Sequence, residues 1–358
     1  MNQWQLPDRN LFSNRRENTL GSNRKKLPWP SNRPFKILSL DGGGIRGVYG
    51  AKILTQVEEQ ITGDRPIADY FDMIAGTSTG GIIGLGLGMG ITARKISELY
   101  YEKGKRIFLQ KWWWRIPLLG RLLKLLAHAL GPIYDHKALE EFLQDEFQEA
   151  KLGEAKTRMI IPAFINSEAE IQISVFKTDH HPDFSNDFKS FACDIARATS
   201  AAPTYLEGHT QGSSMFLDGG LWANNPVMVA IIDALSCYDL APHQIQVLSI
   251  SSGNSPLGMS LKHSKGGFLS WRTVIETSMF LTTNNAHSQA RLLLGPQNIL
   301  RLEPTQENAN IKLDDWKMAT ERLPLNALDT FNDRKEIIEK FFNTTVNPRH
   351  RFHTSEVS

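Results

Sequence analysis

The chain has 358 residues, of which 41% are hydrophobic and 22% are charged, and its formal net charge is +2. This composition is ordinary for a soluble globular protein with one large domain or two smaller ones, and the net charge is too small to indicate a nucleic-acid partner. The two cysteines, Cys193 and Cys237, fit a reducing cytosol better than a secreted disulfide scaffold, and they cannot form a zinc site without suitably spaced histidines. We expect neither a secretory signal nor a transmembrane helix, because the N-terminus is polar and no stretch of about 18 residues is free of polar groups.

Residues 1–34 form the first predicted segment, a polar and basic leader. They are rich in Asn, Arg and Pro, show no hydrophobic periodicity, and carry seven Arg and Lys residues against two acidic ones. A solvated tail is the simpler interpretation. A basic arm that contacts a partner subunit or an anionic membrane is the alternative.

Alternating strands and helices follow. The predicted strands are Phe35 to Leu40, Tyr70 to Ala75, Met159 to Phe164, Ile171 to Phe176, Met215 to Leu217 and Gln246 to Ile250, and helices are predicted from Val48 to Gln60, Ala138 to Phe147 and Pro226 to Leu235. This alternation predicts an α/β fold with a mostly parallel central sheet and helices on both faces. In such folds the chemistry takes place at the carboxyl ends of the strands, and two glycine-rich turns lie at such ends.

The turn after the second strand, Gly76-Thr77-Ser78-Thr79-Gly80, matches the pattern G-x-S-x-G. In this pattern a sharp strand-to-helix turn holds the central serine in a strained conformation, and small flanking residues leave room for it. The hydroxyl then projects from the N-terminus of the next helix, where backbone N–H groups favour negative charge. The apolar strand before the turn and the apolar helix after it favour Ser78 as a nucleophile over a turn that only packs the helix on the sheet.

The turn after the first strand, residues 41–47, has two functional interpretations. Gly42, Gly44 and Gly47 fit the dinucleotide-binding pattern G-x-G-x-x-G, although no acidic residue ends a second strand about 20 positions further on. In the other interpretation, the N–H groups of Gly42, Gly43 and Gly44 converge as an oxyanion hole, in which each donor is worth about 3–4 kcal/mol. Arg46 would then support the oxyanion or a substrate phosphate, or form a structural ion pair.

A nucleophilic serine needs a proton acceptor. Ten histidines are present, and His209 comes nearest to a suitable position, in a polar loop before the strand at Met215. Asp218 is the better candidate, because it directly follows that strand and therefore lies at the carboxyl edge of the sheet. A free aspartate has a pKa of about 3.9, so Asp218 needs a dry pocket and a serine within hydrogen-bond reach.

Four motifs in this order resemble the patatin-like phospholipases. They are Asp41 to Gly47, Gly76 to Gly80, Ala196 to Tyr205 and Asp218 to Pro226. The resemblance covers residues 35–255, which form the expected catalytic core. One turn departs from the family, because Ser251-Ser252-Gly253 stands where a Gly-Thr-Gly-like turn is expected, and this bears on the shape of the pocket.

The resemblance implies a three-layer α/β/α fold with a Ser78–Asp218 dyad, in which no histidine acts as a third catalytic residue. It assigns the oxyanion donors to Gly42, Gly43 and Gly44. It also implies that fatty acyl esters of membrane phospholipids are hydrolysed without a catalytic metal or another cofactor.

Residues 107–130 combine adjacent tryptophans with an amphipathic pattern. The tryptophans are Trp112, Trp113 and Trp114. Further along, Leu118 and Leu122 lie on the apolar face of a predicted helix, and a stripe of basic residues lies on its other face. Such a helix suits a membrane interface or a mobile apolar lid over a lipid site. A helix that simply packs on the core has the same pattern.

Residues 256–358 lie beyond the motifs and are expected to pack on the core as a regulatory C-terminal region. The size and architecture of the chain resemble bacterial patatin-like effectors of anti-phage signalling, in which a cyclic nucleotide switches on the degradation of membrane lipids. That resemblance implies a cyclic di- or trinucleotide activator and a cytoplasmic protein in peripheral contact with the inner membrane surface. An unregulated lipase or esterase would carry the same motifs, and homo-oligomerisation stays open.

Overall fold

The computed structural model describes residues 24–102, 104–107, 137–167, 170–203, 205–212, 214–253 and 274–353. Within these residues, eight strands form one sheet. The strands are β1 Phe35–Leu40, β2 Met73–Gly76, β3 Arg158–Asn166, β4 Ile171–Lys177, β5 His209–Gln211, β6 Ser214–Asp218, β7 Ile245–Ile250 and β8 Ile299–Leu302.

Five of the strands form a parallel array in the order β3-β2-β1-β7-β8. The central strand, β1, is buried along its whole length, because alternate side chains face two different cores. Leu38 and Leu40 belong to one core, and Phe35 and Ile37 belong to the other. The predicted α/β class, with a mostly parallel sheet covered on both faces, is confirmed.

The remaining strands are antiparallel additions around the long strand β3. Ile160 pairs with both β2 and β4, so these two strands lie on opposite edges of β3. Ala163 pairs with both β4 and β6, so β6 lies on the same edge as β2. Along this edge β2 and β6 run toward each other, and their carboxyl ends, Gly76 and Asp218, come together.

Helices cover both faces of the sheet. They are α1 Val48–Val57, α2 Thr79–Met89, α3 Ala93–Glu102, α4 Gly104–Ile107, α5 Lys137–Phe147, α6 Ala192–Thr199, α7 Gly220–Ala223, α8 Val227–Cys237, α9 Val274–Leu294, α10 Gln306–Ala309 and α11 Trp316–Glu339. One core contains residues of α1, α2, α3, α5, α6 and α11, and the other contains residues of α8 and α9. The first predicted helix ends as an α-helix at Val57 and continues as a π-helical turn, Glu58–Thr62.

The chain contacts the core earlier than the leader predicted for residues 1–34 would allow. Leu27 forms a parallel bridge with Tyr238, and the Trp29 ring lies 4.8 Å from that of Phe35. Arg24 donates a hydrogen bond to Asp183 at 3.1 Å. Leu27 and Trp29 are apolar residues within a basic segment, and they anchor a stretch that its composition alone predicts to be solvated.

The C-terminal region contributes to the same sheet and to both cores. Strand β8 pairs with β7, α9 packs in the core under α8, and α11 packs in the core on the opposite face. In the described residues the sheet therefore continues past residue 255, the predicted end of the catalytic core. None of the described helices is long and apolar enough to cross a membrane.

Candidate active site

The turn after β2 holds Ser78 in a backbone conformation that is rare for a residue with a side chain. Its φ is 55° and its ψ is −125°, which costs roughly 1–3 kcal/mol unless the surroundings enforce it. Neighbouring glycines make the sharp turn feasible. A Cβ atom at Gly76 would lie 2.2 Å from the Gly80 carbonyl oxygen, and one at Gly80 would lie 2.3 Å from the Leu40 carbonyl oxygen. The predicted strand-to-helix turn is therefore present, with Ser78 immediately before α2.

Three side-chain hydrogen bonds hold this turn in place. The Ser78 N–H donates to Thr199 Oγ1 at 3.0 Å, and the Thr199 hydroxyl donates to the Pro162 carbonyl at 2.6 Å. The Thr77 hydroxyl donates to the Ala223 carbonyl at 2.6 Å. The turn is thus tied to α6, β3 and α7 together.

Asp218 ends β6, and the Ser78 side chain lies close enough to its carboxyl group to influence its pKa. The Asp218 side chain accepts the Gly220 N–H at 2.7 Å, and the residue is only 4% exposed. Burial raises the pKa of Asp218 to about 6, although the Ser78 side chain and the Gly220 N–H act in the opposite direction. The carboxylate is therefore a stronger base than a solvated aspartate and is still ionised at neutral pH.

Asp218 reaches Ser78 for a reason different from the predicted one. The sequence places both residues at the carboxyl edge of a parallel sheet, but β6 is antiparallel to β3. Asp218 arrives at that edge from the opposite direction, because β3 extends beyond the end of β2 and β6 returns along the extension.

The glycine loop lies beside Ser78, since a Cβ atom at Gly42 would be 3.2 Å from Ser78 Cβ. The Gly42 N–H already donates to the Asn224 carbonyl at 2.9 Å, so Gly42 is not a free oxyanion donor, which corrects the prediction. Within the described residues, no hydrogen bond engages the N–H groups of Gly43 and Gly44. Gly44 has a φ of 55°, which favours glycine, and it lines the same pocket as Ser78.

Arg46 braces this loop through backbone carbonyls. Its guanidinium donates to the Gly43 and Ala309 carbonyl oxygens, both at 3.4 Å. Burial lowers the pKa of Arg46 to about 10, and Glu276 and Tyr205 oppose that shift. In the described part of the chain Arg46 forms no direct ion pair and does not line the pocket, so neither predicted role describes its contacts.

The ion pair between Asp41 and Arg301 anchors the start of the loop, and no sequence motif predicts it. The Arg301 guanidinium donates to both Asp41 carboxylate oxygens, at 2.9 and 2.6 Å. Burial lowers the pKa of Arg301, but Asp41 and Glu303 raise it more, so the net shift is upward. Only the fold brings these residues together, because 260 positions separate them.

The turn that departs from the family, residues 251–253, contacts the glycine loop. The Ser252 hydroxyl donates to the Gly42 carbonyl, and a Cβ atom at Gly43 would collide with the Ser252 side chain. None of the three residues lines the pocket, so their difference from the family bears on the loop and not on the pocket wall.

An apolar pocket opens at Ser78 and Asp218. The space within its lining, together with solvent at the open mouth, has a volume of about 1210 Å³. The apolar side chains that line it include Ile82, Ile96, Leu99, Leu139, Phe142 and Met279. Such a lining suits a hydrocarbon chain attached to the ester that Ser78 would attack.

His209 begins β5, and its Nε2 atom lies 3.3 Å from Asp194 Oδ1, outside the pocket lining. Trp112, Trp113, Trp114, Leu118 and Leu122 lie outside the described residues.

Comparison with known proteins gives consistent matches. The family model described as "Patatin-like phospholipase" matches residues 38–231. A relative from Escherichia coli named "cGAMP-activated phospholipase" is 34% identical over 276 residues, covering 72% of this chain and 75% of the relative. One of the same name from Pseudomonas aeruginosa is 33% identical over 307 residues, covering 84% and 86%. A third, from Vibrio cholerae, is 38% identical over 205 residues, covering 55% and 56%.

Proposed function

The chain belongs to the patatin-like phospholipase family, and we propose that it releases fatty acids from membrane phospholipids with Ser78 as the nucleophile and Asp218 as the base. The observation that carries these roles is that both residues line one apolar pocket, in which the Ser78 side chain acts on the Asp218 carboxyl group. The dinucleotide-binding alternative for residues 42–47 has no support from the family, and the Gly42 N–H is already engaged.

The first half-reaction transfers the acyl group to the enzyme. Asp218 accepts the Ser78 hydroxyl proton as Oγ forms a bond to the ester carbonyl carbon. The electron pair displaced onto the carbonyl oxygen is stabilised by the N–H groups of Gly43 and Gly44, and each such donor is worth about 3–4 kcal/mol. The tetrahedral intermediate then breaks its bond to the lysolipid oxygen, which takes the proton from Asp218 and leaves an acyl ester on Ser78.

The second half-reaction regenerates the enzyme. Asp218 accepts a proton from a water molecule as the water oxygen attacks the acyl carbonyl carbon, and the same N–H donors stabilise the oxyanion. Collapse releases the fatty acid and returns the proton to Ser78 Oγ. The raised pKa of Asp218, about 6, helps in both directions, because the group accepts a proton readily and also returns it.

The pocket is proposed to bind the acyl chain of the substrate. Each CH₂ group that leaves water contributes about 0.8 kcal/mol, so an apolar lining favours long chains over short ones. Ile82 on α2 and Leu139 on α5 line the pocket together with Ser78, so the chain would extend away from the dyad between these helices.

We also propose activation by a cyclic nucleotide. This is supported by the two relatives named cGAMP-activated phospholipases that align over most of this chain. The C-terminal region contacts the glycine loop at several points. Arg301 pairs with Asp41, the Leu313 carbonyl accepts the Ile45 N–H at 3.0 Å, and the Ala309 carbonyl accepts from Arg46 at 3.4 Å. A ligand that moves this region would therefore change the position of the oxyanion donors.

Peripheral membrane contact on the cytoplasmic side is a further part of the proposal. The apolar Trp112, Trp113 and Trp114 carry it on sequence grounds. Replacing all three with serine should abolish binding to vesicles while turnover of a soluble short-chain ester is retained. Unchanged vesicle binding would contradict the contact.

The decisive experiment measures fatty acid released from phospholipid vesicles, with and without a panel of cyclic di- and trinucleotides. Wild type is compared with Ser78→Ala and Asp218→Asn, each checked for folding by circular dichroism. Release that depends on Ser78, on Asp218 and on one nucleotide is expected. Release without any nucleotide would keep the hydrolase and reject the activation, and full activity of folded Ser78→Ala would reject the assigned nucleophile.

A further inference from the structure

The side-chain amide of Asn224 lies between the glycine loop and the dyad. Asn224 is 0% exposed. Its Oδ1 atom lies 2.5 Å from the position that a Cβ atom would take at Gly42 and 3.3 Å from the corresponding position at Gly220. One end of the amide therefore lies between the loop that carries the oxyanion donors and the turn that follows the base.

Two acceptor oxygens lie near the same two glycines. The Thr77 carbonyl oxygen is 3.4 Å from the Cβ position of Gly42, and Asp218 Oδ1 is 3.1 Å from that of Gly220. Asn224 Oδ1 is itself an acceptor and is buried without a hydrogen-bond partner in the described residues. A buried oxygen without a hydrogen-bond partner is unfavourable, and the carbonyl and carboxylate oxygens near the same glycines offer it no donor.

The other end of the amide contacts Thr283 on α9. Asn224 Nδ2 lies 2.9 Å from Thr283 Oγ1, and Thr283 is 1% exposed. A hydroxyl can donate as well as accept, so Thr283 can bind either end of the amide. Turning the amide by 180° lets the Thr283 hydroxyl donate to Oδ1 and places Nδ2–H at the end of the amide that faces Gly42 and Gly220, the two glycines near which the acceptor oxygens lie.

We propose that Asn224, oriented by the Thr283 hydroxyl, is a positioning residue that donates from Nδ2 to Asp218 and to the Thr77 carbonyl. The residue thereby fixes the base relative to the nucleophile turn and stabilises the ionised carboxylate. This inference rests on the proposed roles of Ser78 and Asp218.

Loss of such a donor should raise the pH at which Asp218 becomes a base. Besides burial, the groups that act on Asp218 are the Ser78 hydroxyl and the Gly220 N–H. The charged groups on the surrounding elements have other partners. Asp41 pairs with Arg301, and Arg197 pairs with Glu140. Arg46 donates to the Gly43 and Ala309 carbonyls, and Glu276 and Tyr205 influence its pKa.

The test measures how the rate of Ser78 modification by a soluble fluorophosphonate depends on pH. This readout needs no lipid, and it is run with and without the panel of cyclic nucleotides because activation is part of the proposed function. Asn224→Ala and Thr283→Val are each expected to move the midpoint of the rate profile upward by about one pH unit, the size of one charge-assisted hydrogen bond. Thr283→Ser keeps the hydroxyl and should restore the wild-type midpoint.

Asn225→Ala provides a matched control for the loss of a buried amide. Asn225 is 1% exposed, and its Oδ1 atom accepts from Ser39 and from the Val227 N–H, away from the dyad. Its replacement should lower thermal stability without moving the midpoint.

A downward shift of the midpoint in Asn224→Ala would overturn the proposal, because it would mean that the amide oxygen, and not Nδ2–H, faces Asp218 in wild type. An unchanged midpoint would also overturn it, because Asn224 would then have only a structural role. If Asn224→Ala does not fold, Thr283→Val decides in the same way. Wild type that resists labelling of Ser78 at every pH, both with and without the cyclic nucleotides, would overturn the proposed function and this inference with it. Labelling with an unmoved midpoint overturns the inference alone.

Discussion

Arg301 on β8 holds Asp41, the first residue of the glycine loop, through hydrogen bonds of 2.9 and 2.6 Å. The two side chains are 7% and 1% exposed, so the pair is largely shielded from water. Arg301 also donates to Ser249 on β7 at 2.7 Å. The edge of the sheet that belongs to the C-terminal region therefore fixes the entrance to the proposed oxyanion hole.

Arg301→Met should lower the free energy of unfolding by about 3–5 kcal/mol, because it leaves the Asp41 carboxylate buried without a counter-charge. Urea denaturation checks this value. The double variant Asp41→Asn/Arg301→Met should recover much of the loss, since no uncompensated charge remains. A single variant within about 1 kcal/mol of wild type would contradict the importance of the pair.

Gly80→Ala should disrupt the nucleophile turn. Its Cβ atom would lie 2.3 Å from the Leu40 carbonyl oxygen and 2.6 Å from that of Asp41, and backbone atoms on the central strand have little room to move. We expect little folded protein and no Ser78 labelling by fluorophosphonate. Gly50→Ala is the matched control, because its Cβ atom would meet only Ile250 Cγ2 at 3.4 Å and it lies inside helix α1. That variant should be as stable as wild type or more stable by about 0.5–1 kcal/mol, and equal behaviour of the two variants would contradict the packing argument.

Thr199→Val should misplace Ser78 without emptying space in the core. The substitution removes the acceptor of the Ser78 N–H and the donor to the Pro162 carbonyl, which leaves two buried polar groups unpaired. A loss of about 1–3 kcal/mol in stability is expected, together with slower Ser78 labelling. Thr199→Ser keeps the hydroxyl and should label at nearly the wild-type rate. Equal labelling rates for the valine and serine variants would show that the hydroxyl does not position the turn.

Local sequence patterns were sufficient to predict the central features of the fold and the placement of Ser78 and Asp218 in one pocket. Strand β1 is observed over the predicted residues, Phe35–Leu40, because a short apolar run before a glycine turn has few other solutions. Ser78 was identifiable because the strained turn requires glycines at fixed offsets. The predicted position of Asp218 at the edge of the sheet agrees with the structure, but the strand before it was expected to be parallel. The direction of β6 depends on its pairing with β3, which the sequence pattern does not reveal.

Contacts between distant parts of the chain could not be predicted in this way. Arg301 and Thr283 reach the catalytic loops from β8 and α9, and neither residue belongs to a motif with the residue it contacts. The hydrogen bond from the Gly42 N–H to the Asn224 carbonyl could not be predicted either, because a sequence motif does not distinguish which glycine of the loop has a free N–H group. Such contacts arise from tertiary packing, which periodicity does not encode.

Activity should be lost as the pH falls through about 6, because a protonated Asp218 cannot accept the Ser78 proton. The pH dependence of kcat/KM for a soluble ester checks this. The same shift has a consequence for stability. Since the folded-state pKa lies above the ordinary value of 3.8, ionisation of Asp218 costs free energy only in the folded protein. The cost appears as the pH rises from about 4 to about 6 and amounts to about 3 kcal/mol at higher pH.

Asp218→Asn should therefore stabilise the fold at pH 7.5 and change it little at pH 4, while Ser78-dependent turnover is abolished. The asparagine still offers an oxygen to the Gly220 N–H but cannot ionise. Asp233→Asn is the opposite control. Burial raises the pKa of Asp233, but Lys177 and His180 lower it by a larger amount, so the net pKa lies below its ordinary range. The charge of Asp233 therefore stabilises the folded state at neutral pH. Thermal denaturation at the two pH values should show Asp218→Asn above wild type and Asp233→Asn below it at pH 7.5. An Asp218→Asn protein that is less stable than wild type at pH 7.5 would mean that the buried carboxylate is stabilised by its surroundings, which would remove the basis for its raised pKa.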